Sequence, residues 1–161
     1  MNPIREFKLS IDIDAPQEDV WREMVDWEGQ SAWMLSTRVY DDHTSPAGVG
    51  HRLRAFTGPF AKVNRFLGVM DEMVVSEWEP PRYCRVEHVG RIIRGYGTFT
   101  LNPDSRYPQR TRFDWFEEID APRPILLLIK PGVLIGVWIS LQKFKRIVEK
   151  SGKKERGQEI D

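Results

Sequence analysis

Residues 125–150 read ILLLIKPGVLIGVWISLQKFKRIVEK, and they set the architecture for everything upstream. Leu134, Val137, Trp138, Leu141, Phe144 and Val148 recur at intervals of one, three and four, which gathers them on one side of a helix. Gln142, Lys143, Lys145 and Arg146 occupy the solvated side. Ala121-Pro122-Arg123-Pro124 ends whatever precedes the helix, and Pro131 predicts a kink or a restart, because proline brings no amide hydrogen to the ladder. The apolar part, 125–141, is interrupted by Lys130 and Pro131-Gly132 and falls short of the roughly 20 residues that cross a bilayer. It therefore reads as a buried or partner-facing helix, not as a transmembrane span.

Working back from that helix, the chain is a series of strands. Phe7, Leu9, Ile11 and Ile13 alternate with Lys8, Ser10 and Asp12, the period of a strand with one wet face. Asp14-Ala15-Pro16-Gln17-Glu18-Asp19 carries helix-start chemistry, and Val20, Trp21, Met24 and Val25 follow at helical spacing up to a stop at Gly29. A further short turn is expected from Gln30 to Trp33. Strands are predicted over 35–41, 49–56, 69–78, 82–89, 92–101 and 111–119. Turn-forming residues join most of them, with Ser45-Pro46-Ala47-Gly48 and Pro80-Pro81 the clearest reversals. Residues 57–67 read as a loop or short helix. The expected fold class is α+β: a curved antiparallel sheet of six or seven strands around one long C-terminal helix, with short helices after the first strand. One domain spans 1–150, and the polar tail 151–161 is expected to be disordered.

Composition narrows the function. Lys+Arg and Asp+Glu both number 24, so there is no basic excess of the kind nucleic-acid binding needs. The single cysteine, Cys84, gives neither an intrachain disulfide nor a metal-ligand cluster, which points to a reducing, cytoplasmic compartment. The N-terminal residues have no apolar run of signal-peptide length. No metal and no cofactor are expected.

A sheet of that width must twist and coil, and one helix does not fill the space it encloses. The remainder is expected to be a pocket with mostly apolar walls. Strand alternation turns His51, Leu53 and Ala55, Asp71, Met73 and Val75, Cys84, Val86 and His88, and Phe113, Trp115 and Glu117 inward. Ionisable groups on an apolar face are the informative ones: His51, Asp71, His88 and Glu117. A tight reversal at Pro80-Pro81 sets Val75 opposite Val86 and Met73 opposite His88, with Asp71 diagonal to His88. A carboxylate at that place fixes the imidazole tautomer and raises its basicity. Asp71 and His88 are the candidate catalytic pair, as general base or acid. His51, Met73, Val75, Val86, Tyr96, Phe113, Trp115, Glu117, Leu134 and Trp138 are the candidate ligand-binding residues. Arg91 and Arg94 flank a turn where they read as solvated or as a clamp for an anionic head group.

Several runs resemble the START-related, polyketide-cyclase-like and pollen-allergen-like (SRPBCC) superfamily. They are Ile11-Asp12-Ile13-Asp14-Ala15-Pro16 leading into Val20-Trp21, Asp26-Trp27 with Trp33-Met34, Val49-Gly50-His51, and Ser76-Glu77-Trp78-Glu79-Pro80-Pro81-Arg82. Thr111-Arg112-Phe113-Asp114-Trp115 and the closing helix are similar as well, and the run from His88 to Gly97 resembles uncharacterised actinobacterial members. The resemblance implies the helix-grip fold and covers the chain to about Lys150. It unites lipid carriers, cyclases and dehydratases, hormone receptors and chaperone activators, and no single catalytic motif comes with it. Three readings follow. The first is binding of a small hydrophobic molecule, lipid-like, aromatic or polyketide-like, in an internal cavity. The second is a metal-free cyclase or dehydratase, lyase- or isomerase-like, using the Asp71–His88 pair. The third is an interaction module whose apolar helix meets a partner protein, a second copy in a homodimer, or a membrane face.

Overall fold

In the computed structural model, residues 4–41, 43–58 and 68–158 are described, with side chains described to residue 152. Ten elements follow in chain order. They are β1 (Glu6–Ile13), α1 (Gln17–Met24), α2 (Gln30–Trp33), β2 (Thr37–Asp41), β3 (Arg52–Thr57), β4 (Val69–Glu79), β5 (Tyr83–His88), β6 (Gly95–Pro103), β7 (Thr111–Ile119) and α3 (Arg123–Gln158). The strands form one seven-stranded antiparallel sheet in the order β1-β7-β6-β5-β4-β3-β2, so β1 crosses to pair with β7 and every other neighbour is a hairpin partner. This is the predicted α+β helix-grip architecture. Most of the loop expected at 57–67 lies outside the described residues.

Alternation places the core. Phe7, Ile11 and Ile13 of β1 are buried while Lys8, Ser10 and Asp12 are exposed. The same inner face continues through Phe113 and Trp115, Phe99 and Leu101, Cys84 and Val86, Val75, and Leu53 and Ala55. Trp21 and Met24 from α1, Trp33 from α2, and Leu141, Phe144 and Val148 from α3 close over it. Phe144 touches both Trp33 and Phe113, with ring centroids 4.8 and 5.5 Å away. Aromatic volume therefore fills this end of the interior.

One register shift re-aims a large side chain. Val75 faces Val86 and Glu77 faces Arg85, which leaves Ser76 as the extra residue of a β-bulge. Strict alternation from Val75 sends Glu77 inward. The bulge sends Trp78 inward instead, edge-on to Trp21 at 5.0 Å.

The helix α3 differs from its predicted form in three respects. It does not restart at Pro131 but includes it in one element, begins at Arg123, and continues past Lys150 to Gln158. The segment expected to be a disordered tail from 151 is thus helical to that point. Once packed turns have nucleated a helix, each further residue adds a hydrogen bond at little cost, and the Lys, Arg, Glu and Gln of this segment are good helix formers. Continuity also makes α3 long and apolar enough, by length and composition, to cross a membrane, and most of its apolar stretch is unburied. Its second half is committed elsewhere: Leu141, Phe144 and Val148 are core, and Glu149 Oε1 accepts from the Asp14 amide at 2.9 Å. Finally, Trp138 lies outside the buried stripe, 53% exposed, and forms no wall of the interior. The stripe runs through Leu134, Val137, Leu141, Phe144 and Val148, and Trp138 sits at its edge.

Candidate functional site

The ends of β4, β5 and β7 bring three ionisable side chains together on the inner face. The register is the one the Pro80-Pro81 reversal predicts, with Met73 opposite His88 and Val75 opposite Val86. Asp71 stands one inward position along β4, and Glu117 reaches across Gly97, a residue without a side chain, from β7. His88 Nδ1–H donates to Asp71 Oδ2 at 2.6 Å. His88 Nε2 lies 3.2 Å from Glu117 Oε1, a second carboxylate within ion-pair distance of the ring. His88 and Asp71 are only 9% and 6% exposed.

Burial alone favours the neutral imidazole. Here hydrogen bonding and charge from Asp71 and Glu117 outweigh burial and push the His88 pKa up to about 10. At neutral pH the ring carries both protons and has no lone pair with which to abstract another. Its basicity is raised, and so far that it is already protonated. Asp71 Oδ1, by contrast, is buried without a hydrogen-bond partner among the described residues.

His51 belongs to a separate arrangement. Its Nε2 is 2.8 Å from Asp41 Oδ1, its Nδ1 is 3.2 Å from Ser45 Oγ and from the Pro46 carbonyl, and its ring stacks on Trp27. It pins the β2–β3 connection to the sheet. Asp41 was not singled out by the sequence reading, although the alternation Thr37, Val39, Asp41 places it on the same inner face. Tyr96 does not reach the interior. With no bulge to turn it, it faces outward between Phe116 and Arg85, whose guanidinium lies 3.8 Å above the ring.

The remaining candidates divide by exposure. Val75, Val86, Phe113 and Trp115 are buried in the packed core. Met73 and Glu117 on the sheet, and Leu134 on α3, are only half-buried, as are Leu9, Val133 and Val137 beside them. Trp33, Phe113 and Phe144 pack together and fill the interior between α2, β7 and the second half of α3. A cleft of about 230 Å³ opens at the opposite end from His88, lined by Asp14, Tyr107, Gln109 and Arg110, and contains none of the candidate residues. Among the described residues no group of three or more His, Cys, Asp or Glu side chains is arranged to hold a metal ion. Cys84 is fully buried, and burial pushes its thiol up to about 12, far from a nucleophile's range.

A seven-stranded sheet gripping a terminal helix, with short helices after its first strand, defines a helix-grip domain. Residues 5–149 match the family model described as polyketide cyclase / dehydrase and lipid transport, and the chain belongs to that family. No curated protein matches the sequence. Solved structures share the fold. A protein from Nitrosomonas europaea superposes with a TM-score of 0.72 at 12% identity, covering 95% of this chain and 99% of that one. A protein from Thermus thermophilus gives 0.71 at 19%, covering 91% and 98%. The Zhui aromatase/cyclase from Streptomyces sp. R1128 gives 0.70 at 14%, covering 91% and 94%. At such identities the likeness is one of fold alone.

Proposed function

We propose that the protein holds a small, mostly apolar molecule carrying one hydrogen-bond donor, between the His88 end of the sheet and α3. The observation that carries this reading is the unused acceptor Asp71 Oδ1, buried without a hydrogen-bond partner among the described residues. A buried oxygen without a partner is costly, and a ligand hydroxyl or amide would relieve that cost. Met73, the next inward position along β4 and opposite His88, is half-buried, and half-buried Val133, Leu134 and Val137 on α3 are the apolar side chains available for the walls of such a site. The family description, which includes lipid transport, supports the same class of ligand.

The cyclase or dehydratase alternative has less support. As a general base His88 must be neutral near pH 7, and the two carboxylates beside it favour its protonated form. The fold shared with an aromatase/cyclase does not carry the chemistry across.

Native mass spectrometry of freshly purified protein tests the binding reading, together with melting curves in the presence of a fatty acid and of a fused-ring aromatic. A bound mass, or a raised melting temperature that Asp71→Asn and Met73→Trp both reduce, is the expected result. Protein that appears only at its own mass and melts identically with every compound overturns it.

A further inference from the structure

The first half of α3 is apolar almost all round yet lies largely outside the core. Leu128 is 82% exposed, and Ile125, Leu127 and Ile135 also face out. A second apolar projection stands near it. Val89 and Ile92 are exposed on the β5–β6 connection, with Ile92 at 73%. The Asp120 amide, just before α3, donates to the Arg94 carbonyl at 2.8 Å, which fixes that connection and the start of α3 at one end of the sheet.

The helix position follows from two lysines. Lys130 Nζ donates to the Glu6 carbonyl at the first residue of β1, and Lys145 Nζ donates to the Asp12 carbonyl near its last. The fifteen-residue rise between them is about 22 Å, close to the roughly 20 Å of six strand residues. Hence α3 runs along β1, and its turns before Lys130 extend past the strand's first residue.

Charge selects among possible occupants. The chain is neutral overall, yet no acidic residue occurs between Asp120 and Glu149, a stretch containing Arg123, Lys130, Lys143, Lys145 and Arg146. Arg91 and Arg94 are exposed beside Ile92, and Arg123 is exposed beside the apolar turns. Asp120, the acid nearest the start of α3, is engaged by Arg5 at 2.7 Å. Exposed aliphatic side chains flanked by the exposed Arg91, Arg94 and Arg123 match an anionic lipid surface, where acyl chains take the apolar groups and head groups take the charge. Two copies of the same surface would set these cations against one another. A full crossing would draw Leu141, Phe144 and Val148 out of the core, so the arrangement suits a helix lying in the interface.

We propose that the first half of α3 and the β5–β6 connection dock this protein on an anionic bilayer surface, with Ile92, Leu127 and Leu128 entering the acyl region. This surface is independent of the ligand reading: an empty interior would leave it unchanged, and a filled one would not establish it.

Flotation with vesicles of phosphatidylcholine alone, and of equimolar phosphatidylcholine and phosphatidylglycerol, provides the test on the full chain. The expected result is association with the mixed vesicles, weakened by added salt, and at least about tenfold weaker with neutral ones. Leu128→Asp and the pair Arg91→Glu/Arg94→Glu should each lower association by roughly tenfold or more, with circular dichroism and melting temperature unchanged. No flotation of the wild type, equal flotation of the variants, or a dimer in sedimentation that Leu128→Asp dissociates would each overturn the proposal.

Discussion

His88 and Asp71 stand on adjacent strands, 2.6 Å apart between Nδ1 and Oδ2, in a part of the sheet almost closed to water. That pairing makes stability depend on pH in a defined direction. The folded-state pKa of His88, about 10, lies above the ordinary 6.5. A raised pKa means that the folded state binds the proton more tightly. Its contribution is fully present below about 6.5 and vanishes as pH climbs through about 10. The free energy of urea unfolding should therefore fall between pH 7 and 10, by an amount on the order of a few kcal/mol. His88→Gln should flatten that part of the curve. A wild-type profile already flat from pH 7 to 10 would contradict the assignment.

The same cluster separates a broken charge group from an absent one. His88→Leu leaves Asp71 and Glu117 without their cation and should cost about 3–5 kcal/mol at neutral pH. Replacing all three together, by Asp71→Val, His88→Leu and Glu117→Met, removes the buried charge outright and should cost less than the single change. Chemical denaturation of both variants decides this. A triple variant markedly less stable than His88→Leu would mean that the cluster is held by more than mutual neutralisation.

How much of this was legible in the sequence depends on the range of the forces involved. The strand β7 keeps its predicted limits because Thr111, Phe113 and Trp115 alternate cleanly with polar neighbours up to Ile119. The pairing of Met73 with His88 followed from the tight reversal at Pro80-Pro81, a local constraint. The bulge at Ser76 was not legible, since nothing local distinguishes it from a regular strand position and its cause lies in how Trp78 packs on Trp21. Glu117 was placed on the correct face, but its approach to His88 spans β6, which separates the two strands, and such a long-range contact leaves no local mark. Asp41 was missed for the complementary reason: its partner His51 comes from across a turn. The exposure of Trp138 was illegible because an apolar residue near a helical stripe looks the same in sequence whether its neighbours cover it or not.

Gly95 should tolerate no side chain. Its φ is +129°, and a Cβ there would lie 1.8 Å from the Glu118 carbonyl oxygen, on backbone that cannot swing aside. Gly50 has φ +89° but open space around the equivalent position. Gly50→Ala should thus cost only the conformational strain, about 1–3 kcal/mol, and Gly95→Ala distinctly more. Paired thermal melts provide the comparison, and equal losses would show that the β6–β7 approach is not limiting.

Cys84 offers a probe of opening. A thiol with no exposed surface and a pKa pushed up to about 12 should react with a disulfide reagent only when the sheet opens. Native protein should therefore resist labelling at pH 8, and the rate should rise steeply across the urea transition. Rapid stoichiometric labelling of the native state would place this part of β5 nearer to solvent than its packing indicates.

The two aromatic residues of α3 test which face of the helix grips the sheet. Phe144 is fully buried and contacts Trp33 and Phe113, so truncation removes both contacts and leaves a cavity that rigid neighbouring rings fill poorly. Phe144→Ala should cost about 3–5 kcal/mol. Trp138 is the larger residue, yet half of it already meets solvent, and Trp138→Ala should cost less than about 1 kcal/mol. Denaturant unfolding of the two variants gives the ordering directly. If Trp138→Ala proved the more damaging, α3 would have to be rotated about its axis relative to the packing described, and Leu141 and Val148 would leave the core with it.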